Sequence, residues 1–235
     1  LPSGVGLGGS SSFAVGLAHL ILNAESGEID PHVLAELAVR VEREELKEPG
    51  GIQDHYVAAF GGLRKYEFKQ SGVEVSPKLI SQDAVSYLEE RQMLIWLEET
   101  RDSETHAAVT ESEIGKSNSY LKETIDLFQE TSKIFSDDLT PVQTFDTIKE
   151  AVTLGWGYKK RFTSELSPIV QSVETVLSKF SDVGYKLCGA GGSGFLLILA
   201  EPDILAQIKN TLPGYSVLYP KISLLGSSVQ SPVWE

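Results

Sequence analysis

Pro2-Ser3-Gly4-Val5-Gly6-Leu7-Gly8-Gly9-Ser10-Ser11-Ser12 is the stretch that decides how the chain reads. Glycines at this density let backbone N–H groups converge on an anion, and a helix N-terminus behind them adds its partial positive charge. That helix is predicted directly after the serines, with Phe13, Leu17, Leu20 and Ile21 on one apolar face and Ala14 and Ala18 beside them. Serine hydroxyls suit phosphate oxygens or a hydrated magnesium ion. The loop is not a Walker A loop, because no Lys-Ser/Thr follows the glycines. The strand that precedes a dinucleotide fingerprint is also absent. Two readings stay open: a phosphate cradle, or a helix cap behind a flexible terminus.

Outward from the loop, Asp30 caps and Pro31 starts a second helix, whose apolar stripe is predicted at Leu34, Leu37 and Val41. Pro49-Gly50-Gly51 ends it. Glu42 falls on the flank of Ala38, Val39 and Leu46, away from the charged face of Glu36, Arg40, Arg43 and Lys47. A carboxylate there is either a half-solvated boundary residue or one that needs a cation or an arginine. A short helix follows, with Ile52, Tyr56, Ala59 and Phe60 at helical spacing and Gly61-Gly62 as its stop. Asp54 opens this helix, as a plain cap or as a functional carboxylate.

The period then changes to two. Tyr66 and Phe68, a Ser71-Gly72 turn, and Val73 and Val75 read as a hairpin, with a domain boundary near Pro77. Strands are predicted at Met93–Leu97, Tyr185–Cys188, Phe195–Ala200 and Ser216–Tyr219. Helices are predicted at Glu113–Phe135, Pro141–Leu154, Pro168–Phe180 and Pro202–Leu212. A second glycine loop, Gly189-Ala190-Gly191-Gly192-Ser193-Gly194, joins two of the strands. It is either a bulged hairpin or backbone packed against another segment, such as the first loop. The class is α+β or mixed α/β, in two domains.

Composition narrows the function. The 235 residues are 41% hydrophobic, which supports a real core and excludes a wholly disordered chain. With 20 Lys+Arg against 33 Asp+Glu the net charge is −13, unsuited to nucleic acid or an anionic membrane surface. No apolar run approaches the roughly 18 residues that span a bilayer. Cys188 is the sole cysteine, so neither an internal disulfide nor a Cys-based zinc site can form, and a reducing cytoplasm is the expected compartment. Lys159, Lys160 and Arg161 are the main basic cluster, either a solvated helix face or the counter-charge for a sugar phosphate. His19, His32 and His106 lack metal-ligand spacing, and His55 is assigned no role.

Taken together, the motifs resemble the GHMP kinase superfamily. Pro2-x-x-x-Gly6-Leu7-Gly8-x-Ser10-Ser11 is similar to its phosphate-binding motif, and Lys186-Leu-Cys-Gly-Ala-Gly-Gly-Ser-Gly194 to its C-terminal glycine motif. Between them, Glu42 and Gly51-Ile52-Gln53-Asp54 match its Mg-ligand glutamate and catalytic aspartate. Glu48-Pro49-Gly50-Gly51-Ile52-Gln53-Asp54-His55 resembles the sugar-1-kinase branch, which holds heptose 7-phosphate kinases and the kinase part of fucokinase. Gly155-Trp156-x-Tyr158-Lys159-Lys160-Arg161-Phe162 and Thr100-Arg101-Asp102 point the same way. The chain departs from heptose kinases at Ile52, where they carry Lys, at His55, where they carry Gln, and at Ser193, which interrupts a glycine run.

The resemblance implies an α+β, two-domain fold: an incomplete N-terminal ATP-binding domain over 1–80, and a ferredoxin-like α+β domain with added helices over 81–235. It implies an ATP- and Mg²⁺-dependent transfer of the γ-phosphoryl group to a hydroxyl, anomeric in this branch, of a sugar or sugar phosphate. Gly4, Gly6, Leu7, Gly8, Gly9, Ser10, Ser11, Gly189, Gly191 and Gly192 would hold the nucleotide, Ser10 and Glu42 the metal, and Asp54 the proton of the attacking hydroxyl. The two glycine loops are expected to meet. The family's opening strands and sugar-binding motif precede the first loop. A homodimer, or association with an N-terminal segment, is therefore expected to complete the first domain. The alternative is a non-catalytic module of the same fold.

Overall fold

In a computed structural model the chain forms two compact units, one of Gly8–Leu79 with Ser223–Glu235, the other of Leu1–Leu7 with Ile80–Ile222. The structure describes residues 6–26, 28–48, 50–97, 118–135, 139–161, 166–189 and 194–229.

The first of these units contains α1 (Gly9–Ser26), α2 (Pro31–Val39) with a π-helical continuation at Arg40–Glu45, and α3 (Gln53–Phe60). The hairpin β1 (Tyr66–Lys69) and β2 (Gly72–Val75) follows. Asp30 caps α2 as expected, its carboxylate accepting from the His32 N–H at 2.8 Å. Val15, Leu34, Ala35, Ala38, Tyr56 and Ala59 form the core, with Ile52, Phe60, Tyr66, Val73 and Val75 packed against it. The hairpin register pairs Tyr66 with Val75 and Phe68 with Val73.

Two stripes differ from expectation. In α1 the row facing the core is Ser11, Val15 and Ala18, while Phe13, Leu17, Leu20 and Ile21 are exposed. Small side chains let α1 lie close to α2 and α3, and the bulkier residues of the helix are left outside. In α2 the buried set is Leu34, Ala35 and Ala38, and Val41 is exposed. The chain after Ile222 returns to this unit, where Ser223 O accepts from Gly62 N–H (2.8 Å) and Ser227 N–H donates to Ala58 O (2.9 Å).

In the second unit α4 (Gln82–Glu89) leads into β3 (Gln92–Trp96). Then come α5 (Asn118–Ile134), α6 (Pro141–Lys160), α7 (Pro168–Leu177), β4 (Gly184–Leu187), β5 (Phe195–Leu199), α8 (Pro202–Thr211) and β6 (Ser216–Leu218). The four strands are ordered β4-β5-β3-β6, every neighbouring pair antiparallel. That is the strand order of a ferredoxin-like layer, in agreement with expectation. Alternation along the strands divides the faces. Met93, Ile95, Leu196 and Ile198 join Val170, Val173, Leu177, Leu205 and Ile208 in the main core. Leu94 and Phe195 form a smaller cluster with Trp96, Leu197, Cys188 and Leu7.

Sequence reading missed α4, a helix capped by Ser81 and buried at Ala84, Val85 and Leu88. It also ended α6 too early, at Leu154. Two glycines in Gly155-Trp156-Gly157 suggest a stop, but Trp156 is buried and its Nε1–H donates to Glu174 at 2.8 Å, so the helix continues. The start of α6 is a capping box, with Thr140 and Gln143 bonding reciprocally. The expected stretch 113–117 of α5 lies outside the described residues. Among the described residues no helix is long and apolar enough to cross a membrane.

Candidate active site

Glu42 sits in the π-helical segment, where turns widen and Leu46 N–H donates to Val41 O at 3.0 Å. The widened turn sends Val41 and Leu46 outward and keeps Glu42 buried. Its Oε2 accepts from Ser11 Oγ (3.2 Å) and from His55 Nε2 (2.6 Å), with Arg43 Nη2 at 3.7 Å. A donated Nε2–H leaves Nδ1 as the bare ring nitrogen, and this buried atom has no partner among the described residues. The other carboxylate oxygen, Oε1, carries no hydrogen bond among the described residues. The carboxylate and serine hydroxyls are hard oxygen donors of the kind Mg²⁺ takes, and they leave positions for water and phosphate oxygens.

Of the serines at the start of α1, Ser11 is buried on Glu42, whereas Ser10 and Ser12 are exposed, as is Gly9. No atom outside the local chain lies within 4 Å of a Cβ built on Gly9. The first turn of α1 is therefore open to a ligand, and its free N–H groups favour an anion.

Asp54 lies in the first turn of α3 and is exposed, yet it is no cap: Ile52 holds the N-cap position without a side-chain bond. Its carboxylate lies against Gly8 instead, with Oδ2 3.2 Å from where a Cβ on Gly8 would stand. Gly8 has φ +66°, so both its conformation and its neighbour require glycine. Arg43 steadies the loop before α3, donating to Glu48 O (2.8 Å) and Gly51 O (3.0 Å). Arg43 and His55 are the two residues here that sequence reading passed over. Arg43 looked like part of a charged face. His55 carried one usable signal, its place beside Asp54 on the core side of a short helix.

In the second unit, Gly6 lies against Cys188 and Gly189, the meeting of the two glycine loops that was expected. Both glycines have φ +73°, and a Cβ on Gly189 would come within 2.7 Å of Gly6 Cα. Lys159, at the end of α6, donates from Nζ to Gly189 O at 2.7 Å. Burial, and then the neighbouring Lys186, lower the Lys159 ammonium to about 8. Burial pushes the Cys188 thiol upward. Gly4, Gly191, Gly192 and Thr100-Arg101-Asp102 lie outside the described residues. Among the described residues no group of three or more His, Cys, Asp or Glu side chains could hold a metal ion.

Residues 1–62 match the model of the GHMP kinases N terminal domain. The chain is 31% identical over 214 residues to D-glycero-alpha-D-manno-heptose 7-phosphate kinase of Campylobacter jejuni, covering 86% of this chain and 59% of that protein. It is 29% identical to the bifunctional fucokinase/GDP-fucose pyrophosphorylase of Arabidopsis thaliana, over 86% of this chain and 19% of that one. The crystal structure of a D-glycero-D-manno-heptose 1-phosphate kinase from Bacteroides thetaiotaomicron superposes with a TM-score of 0.65 at 20% identity, covering 98% of this chain and 66% of the other. The chain thus spans about three fifths of the length of the heptose kinase it matches.

Proposed function

We propose that the chain is an ATP-dependent sugar kinase of the GHMP superfamily, a reading supported by the match of residues 1–62 and by the similarity to the heptose 7-phosphate kinase. It transfers the γ-phosphoryl group to a hydroxyl, the anomeric one, of a sugar or sugar phosphate such as a heptose 7-phosphate. The reading takes residues 1–80 as the ATP-binding part and 81–235 as the second domain, and it places the protein in the cytoplasm, where ATP is available.

Phosphoryl transfer is mostly positioning and charge neutralisation, so a sparse set of groups is sufficient. The opening turn of α1, from Gly8 to Ser11, presents N–H groups and hydroxyls to phosphate oxygens. Glu42 and Ser10 would hold Mg²⁺, which when bound neutralises charge on the phosphates. Ser11 and His55 fix the Glu42 carboxylate through its Oε2, and Oε1 would be the oxygen offered to the metal. Asp54 accepts the proton of the attacking hydroxyl or orients it. Gly6 packs against Gly189, and Gly191 and Gly192 would add further nucleotide contacts.

The observation that carries this reading is the Asp54 carboxylate, exposed, unused as a cap and held against Gly8. The test is ADP release with Mg·ATP and D-glycero-D-manno-heptose 7-phosphate, with the product identified by ³¹P NMR. Asp54→Asn should lower turnover by ~10²–10⁴-fold. A folded wild-type chain that releases no ADP with heptose phosphates or free sugars would leave the second reading, a non-catalytic module of the same fold. That reading is favoured by one observation: Glu42 Oε2 already holds two hydrogen bonds.

A further inference from the structure

Residues 223–227 lie on the helix that carries Asp54. The last carbonyls of a helix have no partner within it. In α3 one of them, Ala58 O, accepts from Ser227 N–H at 2.9 Å, and just past the helix Gly62 N–H donates to Ser223 O at 2.8 Å. Between these two bonds the approach is close. A Cβ on Gly226 would stand 1.8 Å from Ala59 O, and a Cβ on Gly61 would stand 2.3 Å from the Leu225 carbonyl. The same stretch reaches α1, where Ser227 Oγ and His19 Nδ1 are hydrogen-bonded at 3.0 Å across 208 positions. It therefore straps the C-terminal end of α3 to the middle of α1.

Such an anchor matters for a helix as short as α3. Its 8 residues are fewer than a helix needs to hold itself, and its opening has no side-chain cap. Packing of Tyr56 and Ala59 holds it against the core from one side, and the strap holds its far end. Asp54 stands one turn before Ala58, about 6 Å along the axis. A shift at the far end is passed to the carboxylate by a rod of two turns. The carboxylate has little room to shift, since Asp54 Oδ2 already lies 3.2 Å from the position of a Cβ on Gly8. Helix α1 begins at Gly9, directly after Gly8, so the strap ties together the two helices whose openings meet at the Asp54–Gly8 contact.

We propose that residues 223–227 are a positioning strap for the Asp54 carboxylate, with Gly226 and Ser227 as its positioning residues. The proposal deepens the kinase reading and rests on it for the effect on turnover.

Nuclear magnetic resonance of the 235-residue chain tests the strap without turnover. The probes are the Gly8 amide and the Asp54 carboxyl carbon. Gly226→Ala, whose added methyl has no room, should shift both signals. Ser227→Ala, which removes only the bond to His19, should shift them less. Val73→Ala loosens the same core away from the strap and should leave both in place, with urea midpoints of all three variants measured so that lost stability is compared like for like. If Gly226→Ala does not fold, Ser227→Ala and His19→Ala, which break one bond from its two sides, decide the matter. Signals that keep their wild-type positions in the strap variants, or that move as far in Val73→Ala, would overturn the proposal.

Turnover gives the second readout. Gly226→Ala should lower kcat roughly 10–100-fold with KM for Mg·ATP unchanged, the mark of a misplaced group rather than of weakened binding. In an Asp54→Asn background the same substitution should have no further effect, because no carboxylate is left to place. An equal fall in that background would mean that the strap acts on something other than Asp54, and would also overturn the proposal. A wild-type chain that releases no ADP, while Gly226→Ala still moves the Asp54 signal, would sink the kinase reading and leave the strap standing.

Discussion

His55 shows what a single side chain contributes to this site. It is fully buried, and its Nε2 satisfies a carboxylate that burial would otherwise penalise. Replacing it with alanine leaves Glu42 only Ser11 and a distant Arg43. His55→Ala should therefore cost about 1–3 kcal/mol, read as a lower urea midpoint, while His55→Gln, which can still donate, should recover part of it. A midpoint unchanged in His55→Ala would mean that the imidazole is not what stabilises Glu42. Lys159 makes a second, pH-dependent case. Its folded value of about 8 lies below its ordinary 10.5. Above that value the folded chain sheds a proton that the unfolded chain still holds, so this residue makes stability rise with pH from about 8 to about 10.5, and its cost is full below that window. Lys186 and Cys188 face it, and Cys188 acts with opposite sign, since a raised thiol loses its contribution as pH climbs above its ordinary 9.0. The readout is therefore the difference between wild type and Lys159→Met across that window, and equal slopes would contradict the assignment.

At the level of elements, the sequence was legible wherever local chemistry decides the outcome. Asp30-Pro31 and Thr140-Pro141 mark helix starts that the structure keeps, and alternation in Tyr66–Val75 marks a hairpin that it keeps too. Choice of helix face was less legible, because it depends on partners far along the chain. In α1 the largest apolar residues share one face and invite an inward reading, yet the buried line is the small one through Ser11, Val15 and Ala18. This difference has a measurable consequence. Leu34→Ala removes a wholly buried side chain and should cost about 2–5 kcal/mol. Phe13→Ser touches a ring that is 72% exposed and should stay within about 0.5 kcal/mol. Urea denaturation of both variants decides it: a Phe13→Ser loss as large as that of Leu34→Ala would show that the Phe13 face is covered in solution. Helix α6 adds the complementary lesson. Its glycines read as a stop, but Trp156 and Lys160 both reach Glu174 on α7, and these long-range bonds override a local breaker.

For the molecule as a whole, the glycine loops and the two carboxylates were readable because each is dense in unusual residues and they fall in a family's order. The contacts that organise them were not. Ser11 meets Glu42 across 31 positions, and Gly6 meets Gly189 from opposite ends of the sequence. Sequence shows which residues can bond, while the fold decides which of them do. Charge behaves in the same way: the count of 33 acids against 20 bases is visible at once, but its effect depends on pairing. The structure pairs Arg91 with Glu201, Lys149 with Asp182, Lys160 with Glu174, Arg161 with Glu123 and Lys221 with Glu89. Bases are the scarcer group, so each pair consumes one of them and leaves the excess of carboxylates to repel one another. Surface pairs contribute little individually, about 0–1 kcal/mol, and that gain shrinks with salt. Repulsion among the surplus carboxylates is screened by the same salt, and it extends over more of the surface. The second effect should dominate for a net charge of −13. The urea midpoint should therefore rise as sodium chloride goes from about 0.01 M to about 0.15 M, where the Debye length falls from about 30 Å to about 8 Å. A midpoint that falls over that range would mean that the ion pairs, and not the surplus of acid, govern the electrostatics of the folded chain.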